Sequence, residues 1–138
     1  MFSRIFNSPT QKLLANALDG SELRNRVTAN NIANANTPDF KRSEVLFEEQ
    51  LRQLVVDQKQ PTPLKVTNPR HIQVARNPKE FRPEVYELND LSYRNDGNNV
   101  DIEVETSTMI KNSLYYNAVS SSMTQEIRLL RMAITGRS

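Results

Sequence analysis

The stretch DIEVETSTMIKNSLYYNAVSSSMTQEIRLLRMAITG, residues 101–136, decides the fold. Ile102, Met109, Tyr116, Met123 and Leu130 recur every seven residues. Thr106, Ser113, Ser120, Ile127 and Ile134 follow each of them by four, which makes an a/d-like seam over nearly five heptads. Asp101, Glu103 and Glu105 put negative charge at the start, Arg128 and Arg131 put positive charge near the end, and Gly136 is the expected stop. A helix over this span is about 50 Å long at ~1.5 Å per residue. It cannot fold back into a small globule and needs a second long helix beside it.

That second helix is predicted at the other end of the chain. Ser8-Pro9-Thr10-Gln11 reads as an N-cap serine, a proline at the first helical position and a glutamine three residues after the cap. A stripe through Leu14, Leu18, Ser21, Asn25, Thr28, Ile32 and Ala35 continues it, and Pro38 is expected to close it. Asn30, Asn31, Asn34 and Asn36 crowd the end of this helix, where asparagine is a poor helix former, so a packing or functional reason is required. Fraying is one reading. Lateral amide hydrogen bonds to neighbouring chains are the other, because Ala29, Ala33 and Ala35 let a second backbone approach.

Between the two helices the character changes. Phe47, Leu51, Leu54 and Val55 suggest a short helix. From Gln58 to Asn99 the chain carries five of its seven prolines, with period-two stretches at 64–66 and 72–74 and a third expected at Val85-Tyr86. This part is read as short strands and loops, much of it poorly ordered until bound, and Asn95-Asp96-Gly97-Asn98-Asn99 as a turn. The expected fold is therefore mainly α: long N- and C-terminal helices paired as an elongated coiled-coil-like unit, with a small proline-rich insert. The organisation is 1–38 as an axial helix, 39–98 as the insert and 99–138 as the second axial helix.

Composition narrows the function. Of 138 residues, 37% are hydrophobic and mean hydropathy is −0.63, so a thick, dry core is not expected. There is no cysteine and a single histidine, which excludes a disulfide framework, a thiolate metal site and a cysteine nucleophile. A net charge of +2 is too small for a nucleic-acid reader driven by counterion release. No apolar run reaches membrane-span length, and the first residues lack the apolar core of a cleaved secretory signal. Charge is segregated, with seven acids and only Arg94 between Glu84 and Glu105, which suits pairing within or between chains.

Rival readings find little support. His71 beside Asp57 or Glu80 could be drawn as a base and its orienter, but no nucleophile motif, phosphate loop or metal spacing accompanies them. Tyr115, Tyr116, Arg128 and Arg131 could be drawn as nucleic-acid contacts, yet Tyr116 belongs to the heptad seam. The Ser, Thr, Asn, Ala and Tyr on the remaining helix faces suit contact with further copies, where a solitary bundle would show Lys and Glu. An assembling structural subunit is the expectation, with no cofactor and no small-molecule substrate.

Residues 29–41, Ala-Asn-Asn-Ile-Ala-Asn-Ala-Asn-Thr-Pro-Asp-Phe-Lys, resemble the N-terminal signature of the bacterial flagellar rod, hook and related axial proteins. Residues 96–103, Asp-Gly-Asn-Asn-Val-Asp-Ile-Glu, and 67–72, Thr-Asn-Pro-Arg-His-Ile, are similar to the proximal-rod branch of that family. The resemblance implies a non-enzymatic subunit of the flagellar basal body, exported through the type III apparatus without a cleaved signal. It also implies self-assembly and contact with other rod proteins, a ring adaptor protein and the membrane ring. Many members of that family carry glycine where this chain has Asp39, so the turn after Pro38 is expected to be of a different type. Candidate packing residues are Asn30, Asn31, Ile32, Asn34 and Pro38 at the corner, with Ile102, Met109, Tyr116, Met123, Ile127 and Leu130 on the seam. Another rod protein of the same family and a non-flagellar coiled-coil adaptor are the alternatives.

Overall fold

The computed structural model describes residues 8–59, 80–89, 92 and 94–136. Among them the element order is α1 (Pro9–Ala33), β1 (Ser43–Leu46), α2 (Glu48–Lys59), β2 (Glu84–Glu87) and α3 (Ile102–Thr135). At ~1.5 Å per residue α1 is about 37 Å long and α3 about 51 Å. The two lie side by side and antiparallel: Asn31 near the end of α1 meets Glu105 at the start of α3, and Ser21 meets Asn112 farther along. The mainly helical fold with long terminal helices is the one the heptad pattern predicts.

The helix ends show what the local sequence controls. Asp101 caps α3, its carboxylate accepting from the backbone N–H of Glu103 at 2.9 Å and of Val104 at 3.3 Å. Gly136 closes α3 in the left-handed region at φ 64. Ser8 occupies the cap position of α1 but its hydroxyl makes no capping bond, and Pro9 supplies the first helical residue. The far end of α1 corrects the expectation about Pro38. The helix stops at Ala33, and Asn34 is its C-cap at φ −101. Asn34 and Asn36 therefore lie in the following turn, where asparagine is at home, and Pro38 comes after the helix has already ended.

β1 was not anticipated. It pairs antiparallel with β2, Ser43 opposite Glu87 and Leu46 opposite Glu84, which bears out the strand expected around Val85-Tyr86. The stretches at 64–66 and 72–74 and His71 lie outside the described residues. The apolar core sits in the corner between α1, β1 and α2. Ala17, Val45, Phe47 and Leu51 are buried there, with Leu13, Leu23, Val27, Leu54, Phe81 and Val119 packed around them. Phe47 presses against Gly20 so closely that a Cβ at position 20 would stand 2.7 Å from the ring. The guanidinium of Arg24 covers the same ring at 4.4 Å.

Candidate assembly interface

Between this small core and the far end of the helix pair, the fold is held by side-chain amides standing in for peptide groups. A primary amide carries a donor and an acceptor, so it can satisfy backbone N–H and C=O together. The fully buried Asn31 does this for Ser43, accepting from its N–H at 3.0 Å and donating to its carbonyl at 2.8 Å, and so closes one edge of β1. Asn99 completes the opposite ladder, accepting from Arg42 N–H at 2.7 Å and donating to Leu88 O at 2.8 Å. Gln50 on α2 ties down Arg82 in the same two-bond manner, at 2.9 and 3.1 Å.

Asn98, also fully buried, joins the turn after α1 to the turn before α3. Its Nδ2 lies 2.9 Å from Asn34 O, 3.2 Å from Ala35 O and 2.8 Å from Thr37 O, and its Oδ1 accepts from Val100 N–H at 2.7 Å. Asp39 N–H donates to Asp96 O at 2.8 Å, and Lys41 Nζ to Gly97 O at 2.6 Å. The expectation of a different turn at Asp39 is corrected here. Asp39 adopts φ 59, the left-handed conformation that glycine would take. Its carboxylate lies against Gly97, itself at φ 75, in space that a Cβ at position 97 would need.

Charge enters this corner through Glu105. Its carboxylate is buried, accepts from Asn31 Nδ2 at 3.0 Å and faces Arg42 Nε at 3.6 Å. At the opposite end of β1, Arg24 donates to Val45 O at 2.9 Å and pairs with Glu48 at 2.6 Å. Partial burial alone would raise the Glu48 carboxyl, but the Arg24 hydrogen bond and charge and the backbone N–H groups of Glu48 and Phe47 outweigh it. The carboxyl is held below its ordinary value of 4.5. Tyr115, tilted on Phe47 at 6.2 Å, is raised by burial and then by the Glu48 charge. A groove of about 410 Å³ runs between β1 and α3, lined among others by Arg24, Arg42, Lys111, Glu44, Glu48 and Glu105. Bases and acids balance there, and among the described residues no three His, Cys, Asp or Glu side chains could hold a metal ion.

The predicted packing residues divide into two groups. Asn31 is spent inside the chain, as described. Asn34 Nδ2 turns back to Asn30 O and Oδ1 at 2.9 and 3.1 Å; Ile32 is half-buried, while Asn30 and Pro38 are exposed. On α3, Met109, Met123 and Leu130 are half-buried, but Ile102, Tyr116 and Ile127 are 47%, 41% and 55% exposed. The face against α1 is turned from the predicted seam by less than one residue step, ~100° of helix rotation. Glu105, Asn112 and Val119, seven residues apart, occupy it instead, with Asn112 Nδ2 donating to Ser21 O at 2.8 Å. Apolar periodicity missed this track because two of its three members are polar. The signal was the small, fully buried Ser21 on α1, whose carbonyl is left open to the Asn112 amide.

What remains outside is unusual for a helix in water. From Asn112 to Gln125 there is no charged residue, ~20 Å of helix at ~1.5 Å per residue. Ile110 and Leu114 are 58% and 66% exposed on one side, while Tyr116, Ile127 and Ile134 are exposed on another. Exposed large apolar side chains clustered in this way mark a contact surface. Among the described residues no helix is long and apolar enough to cross a membrane.

Residues 14–41 match the family model described as "Flagella basal body rod protein". The flagellar basal body rod protein FlgB of Bacillus subtilis (strain 168) is 30% identical over 129 residues, 94% of this chain and 95% of its own. FlgB of Borrelia hermsii is 31% identical over 135 residues, 85% and 89% of the two chains. FlgB of Aquifex aeolicus (strain VF5) is 33% identical over 116 residues, 83% and 84%.

Proposed function

The chain belongs to the family of flagellar basal body rod proteins that includes FlgB, and from that premise we propose that it builds the proximal part of the rod. It is a structural subunit of the basal body. The terminal segments 1–38 and 99–138 act as one axial unit, and the insert 39–98 reaches adjacent subunits. Its neighbours are further copies, other rod proteins, a ring adaptor and the membrane ring, reached after passage through the type III export apparatus. It carries torque and catalyses no reaction.

The observation that carries this reading is the uncharged span from Asn112 to Gln125, wet on most sides in the single chain. Ile102, Tyr116 and Ile127 flank the face that α1 covers, and they contact neighbouring subunits, as do Asn30 and Pro38 at the corner. The amide-laced corner supports the torque role. Asn31, Asn98 and Asn99 bind backbone directly, so the angle between the helix pair and the insert is fixed by short hydrogen bonds. Replacing Tyr116 and Ile127 together by Asp tests the reading. The free protein keeps its circular dichroism because both side chains are exposed, while rod assembly and swimming are lost. Normal swimming with that double variant would refute the assigned contact face.

A further inference from the structure

β2 is the outer strand of the two-stranded sheet, and all four of its residues are exposed. The register fixes which way its backbone points. Leu88 N–H donates to Arg42 O, so the opposed pairs Glu44–Tyr86 and Leu46–Glu84 are the ones that bond to each other in the ladder. Ser43 and Val45 turn their backbone groups the other way, where Asn31 and Arg24 reach them. By the same alternation Val85 and Glu87 direct N–H and C=O away from β1, and among the described residues nothing receives them. Leu46, Val85 and Tyr86, large and apolar, are exposed beside this edge. Glu84 accepts from Tyr86 Oη at 2.6 Å, and neither Glu84 nor Glu87 pairs with a cation among the described residues. The edge therefore reads acid, apolar, aromatic, acid.

We propose that in the assembled rod this edge takes a third strand from an adjoining rod subunit of another kind, a strand reading base, apolar, apolar, base. The proposal rests on the rod-subunit reading above. Main-chain hydrogen bonds at Val85 and Glu87 hold the added strand, and its side chains select it. Bases opposite Glu84 and Glu87, one on each face of the sheet, meet the unpaired acids, and the apolar residues between them cover Val85 and Tyr86. A second copy's β2 is refused, because pairing it antiparallel sets Glu84 against Glu87. The chain's own residues 58–79 hold five Lys or Arg and no acid, yet no base–apolar–apolar–base run. The one such run in the sequence, Arg128-Leu129-Leu130-Arg131, is helical in α3. Residues 80–83 lead into β2 without a turn, Arg82 being held on α2 by Gln50, so β2 is not the second arm of a tight hairpin.

Proline separates the main chain from the side chain in the test. At positions 85 and 87 it deletes an outward N–H and leaves the β1–β2 ladder intact, the setting in which an edge strand tolerates it. Val85→Pro and Glu87→Pro each reduce the number of complete rods, counted by electron microscopy of isolated basal bodies, by more than ~10-fold, and swimming is lost. Val85→Ala and Glu87→Ala keep the N–H and stay within about twofold of the parent. Glu84→Lys with Glu87→Lys sets base against base and also loses the rod. Both of these side chains are exposed, so that variant reports the contact even where a proline disturbs the strand. A photoreactive benzoylphenylalanine in place of Tyr86 identifies the occupant. In basal bodies isolated after irradiation it links to a base–apolar–apolar–base segment of a different rod subunit. Parental swimming of the double lysine variant or of both proline variants would overturn the proposal. So would a link to residues 58–79, a link to a second copy's β2, or no link at all. The double variant at Tyr116 and Ile127 keeps the two readings apart: if it stops swimming while the variants at 84–87 do not, the rod subunit stands and the third strand falls.

Discussion

Replacing Asn31 by Leu removes an amide of similar volume and leaves its three partners in place. Ser43 loses the acceptor for its N–H and the donor to its carbonyl, and the buried Glu105 carboxylate loses a donor at 3.0 Å. A buried group left without its partner costs about 1–3 kcal/mol, more where it is charged. With local relaxation admitting some water, the total is about 3–5 kcal/mol, against the roughly 5–15 kcal/mol that holds an ordinary domain together. In urea followed by far-ultraviolet circular dichroism, this lowers the midpoint by about 1–3 M with little change in slope. Asn31→Asp places a second carboxylate beside Glu105 and is worse than Leu at neutral pH. A midpoint for Asn31→Leu within about 0.3 M of the parent would refute the claim that this amide joins β1 to the helix pair.

Other consequences can be measured on the same protein. Gly20→Ala forces the added Cβ into the Phe47 ring, 2.7 Å away, and costs about 1–3 kcal/mol in the same urea assay; a neutral result would mean that the ring moves freely. Gly97→Ala is more damaging than Asp39→Gly, because position 97 holds both a positive φ and the Asp39 carboxylate, whereas glycine at 39 only relieves a left-handed aspartate; thermal melts of the two variants rank them. The Glu48 carboxyl titrates lower in the folded chain than in the unfolded one, so its contribution is present at neutral pH and lost as the pH falls through the folded value, below 4.5. Accordingly Glu48→Gln is less stable than the parent at pH 7, and the two converge in acid; a gap that persists below pH ~3 contradicts the assignment.

The two long helices were legible because heptad spacing, the Asp101 cap, Pro9 and Gly136 all point the same way. The rotation of α3 was not, because pattern reading assigns a seam to its most apolar residues. Here Glu105 and Asn112 take the inner track, stabilised by Asn31 and by the Ser21 carbonyl. β1 escaped notice for a related reason. Ser43-Glu44-Val45-Leu46 has little strand character alone and is defined by β2, Asn31, Asn99 and Arg24, which come from elsewhere in the chain. The crowd of asparagines was correctly read as a conflict needing a reason. For Asn31 the reason proved to be internal, an amide completing a sheet edge, while Asn30 remains on the surface. Asp39 illustrates a local rule overridden by context, since the docking of Asp39 N–H on Asp96 O holds the turn in the form glycine would give it.

Electron cryo-microscopy of isolated basal bodies tests the central claim most directly. Subunits of this chain should appear in the rod with α1 and α3 antiparallel, and with Ile102, Tyr116 and Ile127 covered by adjacent subunits. Density placing those three side chains in solvent, or the two helices apart, would contradict it.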